Sequence, residues 1–395
     1  MTAGRVASPA ALCGALLLLG GCWGIAPIEK AGLVSLLAID AAPGGGYVVT
    51  ADLLSPSGVP APSPSGGGGT AGTPVHIRHA TAPTVFQAIR GLSAVSHRDV
   101  EFSHLQGVIV AEGVARDGLA GPIDSLTRSP EVSVVAPWLL VAREATAAGL
   151  LEQAGSATPY PGQVLSDTAN WSRQRTPYVA MRVWQFVKQM GLAADEPATA
   201  GVIVDTSQGT GKRAAFRLTG VALFRGGRLV GWLEGDAALG WAVATGRIQE
   251  QAVVVPGPSG GSFTVELHHI QRRLHVRQGP HGPTVEMDLN VTTQLSAAHG
   301  APADFWKDPG LERLVESATE AVLTADVRDA LRQAQAVGAD VFSLGEYVRV
   351  QDFRDWSGLR PGWSTSCFPA LAVTPKVHVH LVDVGLVVCP LVGGC

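Results

Sequence analysis

Cys22, in the run Leu19-Gly20-Gly21-Cys22, is the residue of this chain with the clearest chemistry of its own. A thiolate is nucleophilic enough at neutral pH to take a diacylglyceryl group. The small neighbours Gly20 and Gly21 leave the backbone open to modifying and cleaving enzymes. Arg5 stands near the start and an apolar run begins near Ala10, the layout of a secretory signal. Together these features read as a bacterial lipobox, with residues 1–21 removed as a lipoprotein signal peptide and Cys22 lipidated as the new N-terminus. Each buried methylene contributes about 0.8 kcal/mol, so two or more acyl chains anchor stably where one is marginal.

The remaining candidates fit plain structure better than chemistry. His104 and Glu112 would suit an acid–base or metal pair, but no third ligand or nucleophile stands at a useful spacing. A hydrogen-bonding His at a strand start and a Glu at a helix N-terminus account for both. Gly257-Pro258-Ser259-Gly260-Gly261 fits the nucleophile-elbow pattern, which requires a strand leading into a helix. Phe263 to Leu267 reads as strand, so a hairpin turn is expected instead. Gly209-Thr210-Gly211-Lys212 resembles a phosphate loop, but Thr206 stands where the first Gly belongs and Arg213 replaces the magnesium-holding Ser or Thr. His378 and His380 share one strand face, and His268, His269 and His275 lack an orienting carboxylate at motif spacing, so wet strand faces explain them. No catalytic residue, cofactor or metal is therefore expected. Beyond Cys22, the cysteines Cys367, Cys389 and Cys395 are odd in number and allow one disulfide at most, Cys389 to Cys395 closing the shortest loop.

The elements that carry these residues follow from patterning. A net charge of -4 with scattered cations argues against a nucleic-acid surface. No second apolar run reaches the roughly 18 to 20 residues of a membrane helix, since Val132 to Val141 is short and interrupted by Pro137. Leu33 to Asp40 and Tyr47 to Leu54 read as a hairpin around Gly44 to Gly46, and Thr84 to Ala94 as a helix. Residues 55–74 are Pro, Ser, Gly and Ala of low complexity, expected as a disordered loop. Helices are expected near Ile123 to Leu126, over Glu144 to Gln153 and over Val179 to Met190, with a strand over Val132 to Val141. Residues 193–212 read as an irregular linker holding a short strand at Val202 to Val204. Phe216 to Phe224 and Leu229 to Leu233 form a hairpin around Gly226-Gly227, a helix covers Ala237 to Thr245, and Phe263 to Val276 pairs with Thr284 to Thr293. The second arm of that longer hairpin puts Val285, Met287, Leu289 and Val291 on one face. Asp308-Pro309 opens the longest helix, with Leu311, Leu314, Val315, Ala318, Val322, Ala325 and Leu331 on one side, until Gly338 closes it.

Cys22-Trp23, the apolar run ending in Ile39-Asp40, the glycine turn and Tyr47-Val48-Val49-Thr50 resemble the start of the Ger(x)C family, the lipoprotein C subunits of bacterial spore germinant receptors. Arg98, His104, Glu112 and Ala115 continue the likeness, as do Gly220, Ala222-Leu223-Phe224 and Leu229 to Leu233. The most specific match is the order long helix, Asp340-Val341-Phe342, Gly345-Glu346, Trp356 and a closing strand ending near Gly385. The resemblance implies an α+β, multidomain protein of two to three domains, each with a mainly antiparallel central sheet flanked by helices. Residues 22–192 form an N-terminal domain, 193–212 a linker, 213–388 a C-terminal domain and 389–395 a tail. It further implies a non-enzymatic, lipid-anchored subunit for the response of dormant spores to nutrients. That subunit assembles with two polytopic membrane partners, A-type and B-type, on the outer face of the spore inner membrane. The alternative is an extracytoplasmic solute-binding lipoprotein, which requires a cleft between two parallel-sheet domains.

Overall fold

The computed structural model describes residues 31–54, 75–192, 194–205, 215–279, 282–299, 310–351 and 353–383. Cys22, the segment 55–74, Gly209 to Lys212, Asp308-Pro309, Cys389 and Cys395 lie outside the described residues. The fold is α+β, with two sheets flanked by helices.

The first sheet begins as a meander of β1 (Ala31–Ala41), β2 (Tyr47–Leu54) and β3 (Val75–Ala82). Gly46, at φ 85°, turns the first hairpin where a Cβ would stand 2.6 Å from the Ala82 carbonyl oxygen. The chain continues through α1 (Val85–Val95), β4 (Asp99–Glu101), β5 (Gly107–Ala111), α2 (Glu112–Asp117) and α3 (Ala120–Arg128). After β6 (Trp138–Ala142) come α4 (Ala147–Ala157), α5 (Pro161–Arg175), β7 (Met181–Arg182), α6 (Val183–Met190), β8 (Ala198–Asp205), β9 (Ala215–Arg225) and β10 (Arg228–Leu233). Strand order is β10-β9-β8-β6-β5-β1-β2-β3, with β4 on β1 and β7 on β6. The central strands β8, β6, β5 and β1 run parallel, and antiparallel pairs flank them on both sides. That parallel centre sits inside a sheet whose pairs β10–β9, β9–β8, β1–β2, β2–β3 and β7–β6 are antiparallel. It follows from the helices between β5, β6 and β8, which cover both faces and bury Leu139, Leu140 and Val141 completely.

Two buried carboxylates hold this sheet to its surroundings. The register of β1 slips between Val34 and Leu37, leaving the Ser35 and Leu36 N–H groups off the ladder. Asp52 accepts from both, at 2.8 and 2.5 Å, and from the Ser35 hydroxyl. Burial pushes the Asp52 carboxyl up to about 6. Asp40 accepts from the Ala147 and Ala148 N–H groups at 2.9 and 2.8 Å, so the end of β1 caps α4 across the fold.

Several boundaries differ from expectation. The strand expected over 132–141 is β6 and starts only at Trp138, because Pro130 and Pro137 cannot donate to a ladder. The helix expected from Glu144 starts at Ala147: Glu144 takes φ 64°, and the Thr146 hydroxyl accepts from the Gly149 N–H. The helix expected from Val179 is α6, which begins at Val183 after the β7 bridge to β6. Helix α5 is not among the expected helices; Pro161 opens it at the first position. Within the expected linker 193–212, β8 is a full strand paired with both β6 and β9. The hairpin β9–β10, expected to open the C-terminal domain, therefore completes the first sheet. Its turn is as read, with Gly226 at φ 57° and Gly227 at φ 74°.

The second unit contains α7 (Gly235–Ala244), β11 (Glu250–Pro256), β12 (Ser262–Gly279), β13 (Gly282–His299), α8 (Leu311–Val337), α9 (Leu344–Gln351), α10 (Phe353–Leu359), α11 (Phe368–Ala370) and β14 (Ala372–Asp383). Strand order is β11-β12-β13-β14, the last pair parallel. Val285, Met287, Leu289 and Val291 are buried, as the alternation predicts. Helix α8 buries Leu311, Val315, Leu323, Val327 and Leu331, while Leu314, expected inside, is 40% exposed. Gly338 closes it in the left-handed region at φ 65°.

Helix α8 also guards the outer edge of β14. The Val379 and Leu381 N–H groups donate to Glu320 and Glu316 at 3.0 and 2.9 Å, which removes a template for pairing with another chain. Replacing both glutamates with Ala is expected to cost about 1 to 3 kcal/mol, the penalty of unpaired backbone donors, and to bring concentration-dependent self-association. Denaturant melts and light scattering check this; an unchanged midpoint with a monodisperse chain would show that water satisfies the edge.

Candidate functional site

Among the described residues, those singled out for chemistry do not converge. His104 is exposed in the turn before β5, with its Nδ1 3.0 Å from the Ser103 hydroxyl. Glu112 lies beyond the far end of that strand, in the first turn of α2, and accepts from the Arg116 guanidinium and from Trp232 Nε1 at 3.3 Å. They make no pair. Ser259 sits in a single 3₁₀ turn joining β11 to β12, closed by the Gly257 N–H on the Gly261 carbonyl at 2.9 Å. The segment leads from strand to strand, so the elbow geometry is absent. His378 and His380 are exposed on β14, His269 and His275 on β12, and His268 is half-buried. Among the described residues, no three His, Cys, Asp or Glu side chains gather as metal ligands. Cys367 is a free, half-buried thiol whose Sγ approaches the Leu359 carbonyl at 3.7 Å.

What does converge is the segment Gly338 to Glu346, whose residues knit the two sheets together. Gly338 ends α8, and the wholly buried Asp340 caps α9 by accepting from Leu344 N at 3.1 Å and Gly345 N at 2.7 Å. Its second oxygen also accepts from Trp363 Nε1 at 3.0 Å. Burial pushes this carboxyl up to about 6, outweighing hydrogen bonds that favour the charged form. On either side, the Val341 carbonyl accepts from Trp241 Nε1 at 3.1 Å and the Phe342 carbonyl from Arg272 at 2.9 Å. A Cβ on Gly345 would lie 2.5 Å from the Ala194 side chain and 2.6 Å from the Trp363 indole, so only Gly fits. The Asp340 carbonyl accepts from Glu196 N, and the Ser343 hydroxyl donates to Asp195 at 2.8 Å. Asp195 and Glu196 precede β8, so these contacts tie the second unit to the first sheet.

Beside this junction opens a cleft of about 610 Å³ between α5, α6 and the turn after α7. Asp195 lies on its wall and accepts from Gln189 Nε2 at 3.0 Å. Its carboxyl is raised above the usual range by burial. Arg247 crosses the Trp241 ring at 5.1 Å, and burial lowers its guanidinium to about 10. Arg182 lies 3.6 Å from the centroid of Trp138 and donates to the Ala136 carbonyl, its guanidinium also lowered by burial. Arg173 donates to the Arg247 carbonyl at 3.3 Å. None of these residues was singled out in the sequence. They come from three separated segments, and nothing local marks the convergence. The lining holds cations, indoles, amides, the Thr245 hydroxyl and one carboxylate.

Comparisons with known proteins cover nearly the whole chain. A model described as the N-terminal domain of spore germination proteins matches residues 25–202, and one described as the C-terminal domain of spore germination B3/GerAC-like proteins matches residues 219–385. Spore germination protein KC of Bacillus subtilis (strain 168) is 21% identical over 385 residues, covering 94% of either chain. Putative spore germination protein YfkR of the same organism is 23% identical over 276 residues, 69% of this chain and 70% of that one. The crystal structure of the GerBC protein superposes with a TM-score of 0.53 at 16% identity, over 88% of this chain and 96% of that one, a likeness of fold.

Proposed function

This chain belongs to the Ger(x)C family of spore germination proteins, and from that premise we propose that it is the lipid-anchored C subunit of a nutrient germinant receptor. It acts by assembling with two polytopic membrane subunits, without catalysis of its own. The observation that carries this reading is the succession of the two family domains along the chain, the first beginning at residue 25, shortly after Cys22. Lipidated Cys22 holds the chain on the outer face of the spore inner membrane. Among the described residues no helix is long and apolar enough to cross a membrane. Tethering supports assembly physically, because confinement to the membrane raises the effective concentration of one subunit near the others.

The test is affinity purification of a C-terminally tagged chain from detergent-solubilised spore membranes, comparing wild type with Cys22→Ala. The wild type is expected to bring down two polytopic subunits, and the variant to lose most of that recovery and to move to the soluble fraction. A chain recovered alone from wild-type membranes would overturn the receptor reading. Unchanged membrane association of Cys22→Ala would overturn the lipid anchor alone.

A further inference from the structure

We propose that the cleft between α5, α6 and the turn after α7 binds a small organic oxyanion that also carries a hydrogen-bond donor. The inference stands independently of the receptor reading. Four cations, Arg173, Arg182, Lys188 and Arg247, line the cleft against the single carboxylate of Asp195. That carboxylate is already engaged by Ser343 and Gln189. Positive charge is therefore in excess inside a concave site with indole walls, where field lines concentrate and a counter-ion is drawn in. The volume, about 610 Å³, falls within the range of small-molecule sites.

The second observation is a pair of buried polar atoms carried by two of the lining residues. Trp138 is only 6% exposed, and its Nε1 has no hydrogen-bond partner; Gln189 Oε1 is likewise buried and unpartnered. Folded proteins leave few such groups, since each costs about 1 to 3 kcal/mol. One is a donor and the other an acceptor. Their complement is a ligand with an oxyanion for the indole N–H and a hydroxyl or ammonium for the amide oxygen. Arg182 now covers the Trp138 ring. An oxyanion entering the cleft draws this guanidinium off the ring into a charge-assisted pair, and the indole N–H gains its acceptor.

The experiment is calorimetric titration of the full-length chain in detergent with citrate, glycerol 3-phosphate and tricarballylate, at matched ionic strength. Tricarballylate is citrate without its hydroxyl donor. Saturable binding is expected for citrate or glycerol 3-phosphate, with tricarballylate weaker than citrate. Trp138→Phe, which keeps an aromatic wall but removes the N–H, is expected to weaken binding about tenfold, and the exposed Lys188→Ala severalfold, with circular dichroism unchanged in both. Absence of saturable binding by all three probes, or an affinity unchanged from wild type in both variants, would overturn the proposal. Tricarballylate binding as tightly as citrate would overturn the donor requirement.

Discussion

Asp340→Ala is expected to destabilise the protein by about 3 to 5 kcal/mol, the range for breaking a fully buried polar network. The side chain is the acceptor for three donors at once: two backbone N–H groups that start α9, and the Trp363 indole. Truncation strands all three in a site water does not reach, and α9 and Trp363 lose their common anchor. Asp340→Asn should fall in between, near 2 kcal/mol. Its single carbonyl oxygen can serve Gly345 and Trp363, as one carboxylate oxygen does now, but the amide NH2 then faces the Leu344 N–H, donor against donor. Urea unfolding followed by tryptophan fluorescence measures both, and a loss below about 1 kcal/mol for Ala would refute the anchoring role.

The same carboxylate sets a pH dependence with a definite sign. Its folded value is raised to about 6 from the ordinary 3.8, so between those values the folded state holds a proton that the unfolded chain has released. Stability contributed by that proton is complete below about pH 4 and is lost as pH rises through 6. Asp52, raised to about 6, acts in the same direction, and Glu196 and Asp326, raised to about 7, extend the window upward. Every tenfold gain in proton affinity on folding is worth about 1.4 kcal/mol. Thermal melts should therefore show a higher midpoint at pH 5 than at pH 7.5, with a smaller difference in Asp340→Asn.

What the sequence disclosed about this fold depended on whether the signal was local. The β9–β10 turn was legible because two consecutive glycines match the positive φ values the hairpin takes, and β13 because its apolar residues alternate without a break. Helix α5 was hidden, since its packed face includes Gly162, Ser166, Ala169 and Ser172, small or polar residues that carry little hydrophobic periodicity. Strand β8 was masked in the same way by Ala198, Thr199, Ala200 and Gly201, all buried. The Asp340-Val341-Phe342 and Gly345-Glu346 motif was visible as a resemblance, but its physical reason was not. Asp340, Val341 and Gly345 answer to partners outside their own segment, such as Ala194, Trp241 or Trp363, while Glu346 pairs locally with Arg349. The cleft was least legible of all. Its arginines read as scattered charge until the fold gathers 173, 182 and 247 around Asp195.

Gly240→Ala is expected to destabilise by about 3 kcal/mol or more, although Ala in a helix interior normally gains about 1 kcal/mol over Gly. Helices α7 and α8 meet backbone to backbone at this position. A Cβ on Gly240 would stand 2.1 Å from the Asp326 carbonyl oxygen and 2.6 Å from the Val327 nitrogen. Neither atom is the end of a flexible side chain, so one helix must shift, and interiors packed at crystal density transmit such a shift rather than absorb it. Helix α7 follows β10 of the first sheet, and α8 lies along β14 of the second. The separation would open the core that Trp241 and Val327 share between the two units. Gly113→Ala in α2 provides the control: nothing outside its own local backbone lies within 4 Å of its Cβ, and its φ is not positive, so it should be neutral or stabilising by up to about 1 kcal/mol. Opposite signs for the two substitutions in urea melts would locate the constraint at the contact between α7 and α8. Stabilisation by both would mean that helix propensity, not close approach, governs both sites.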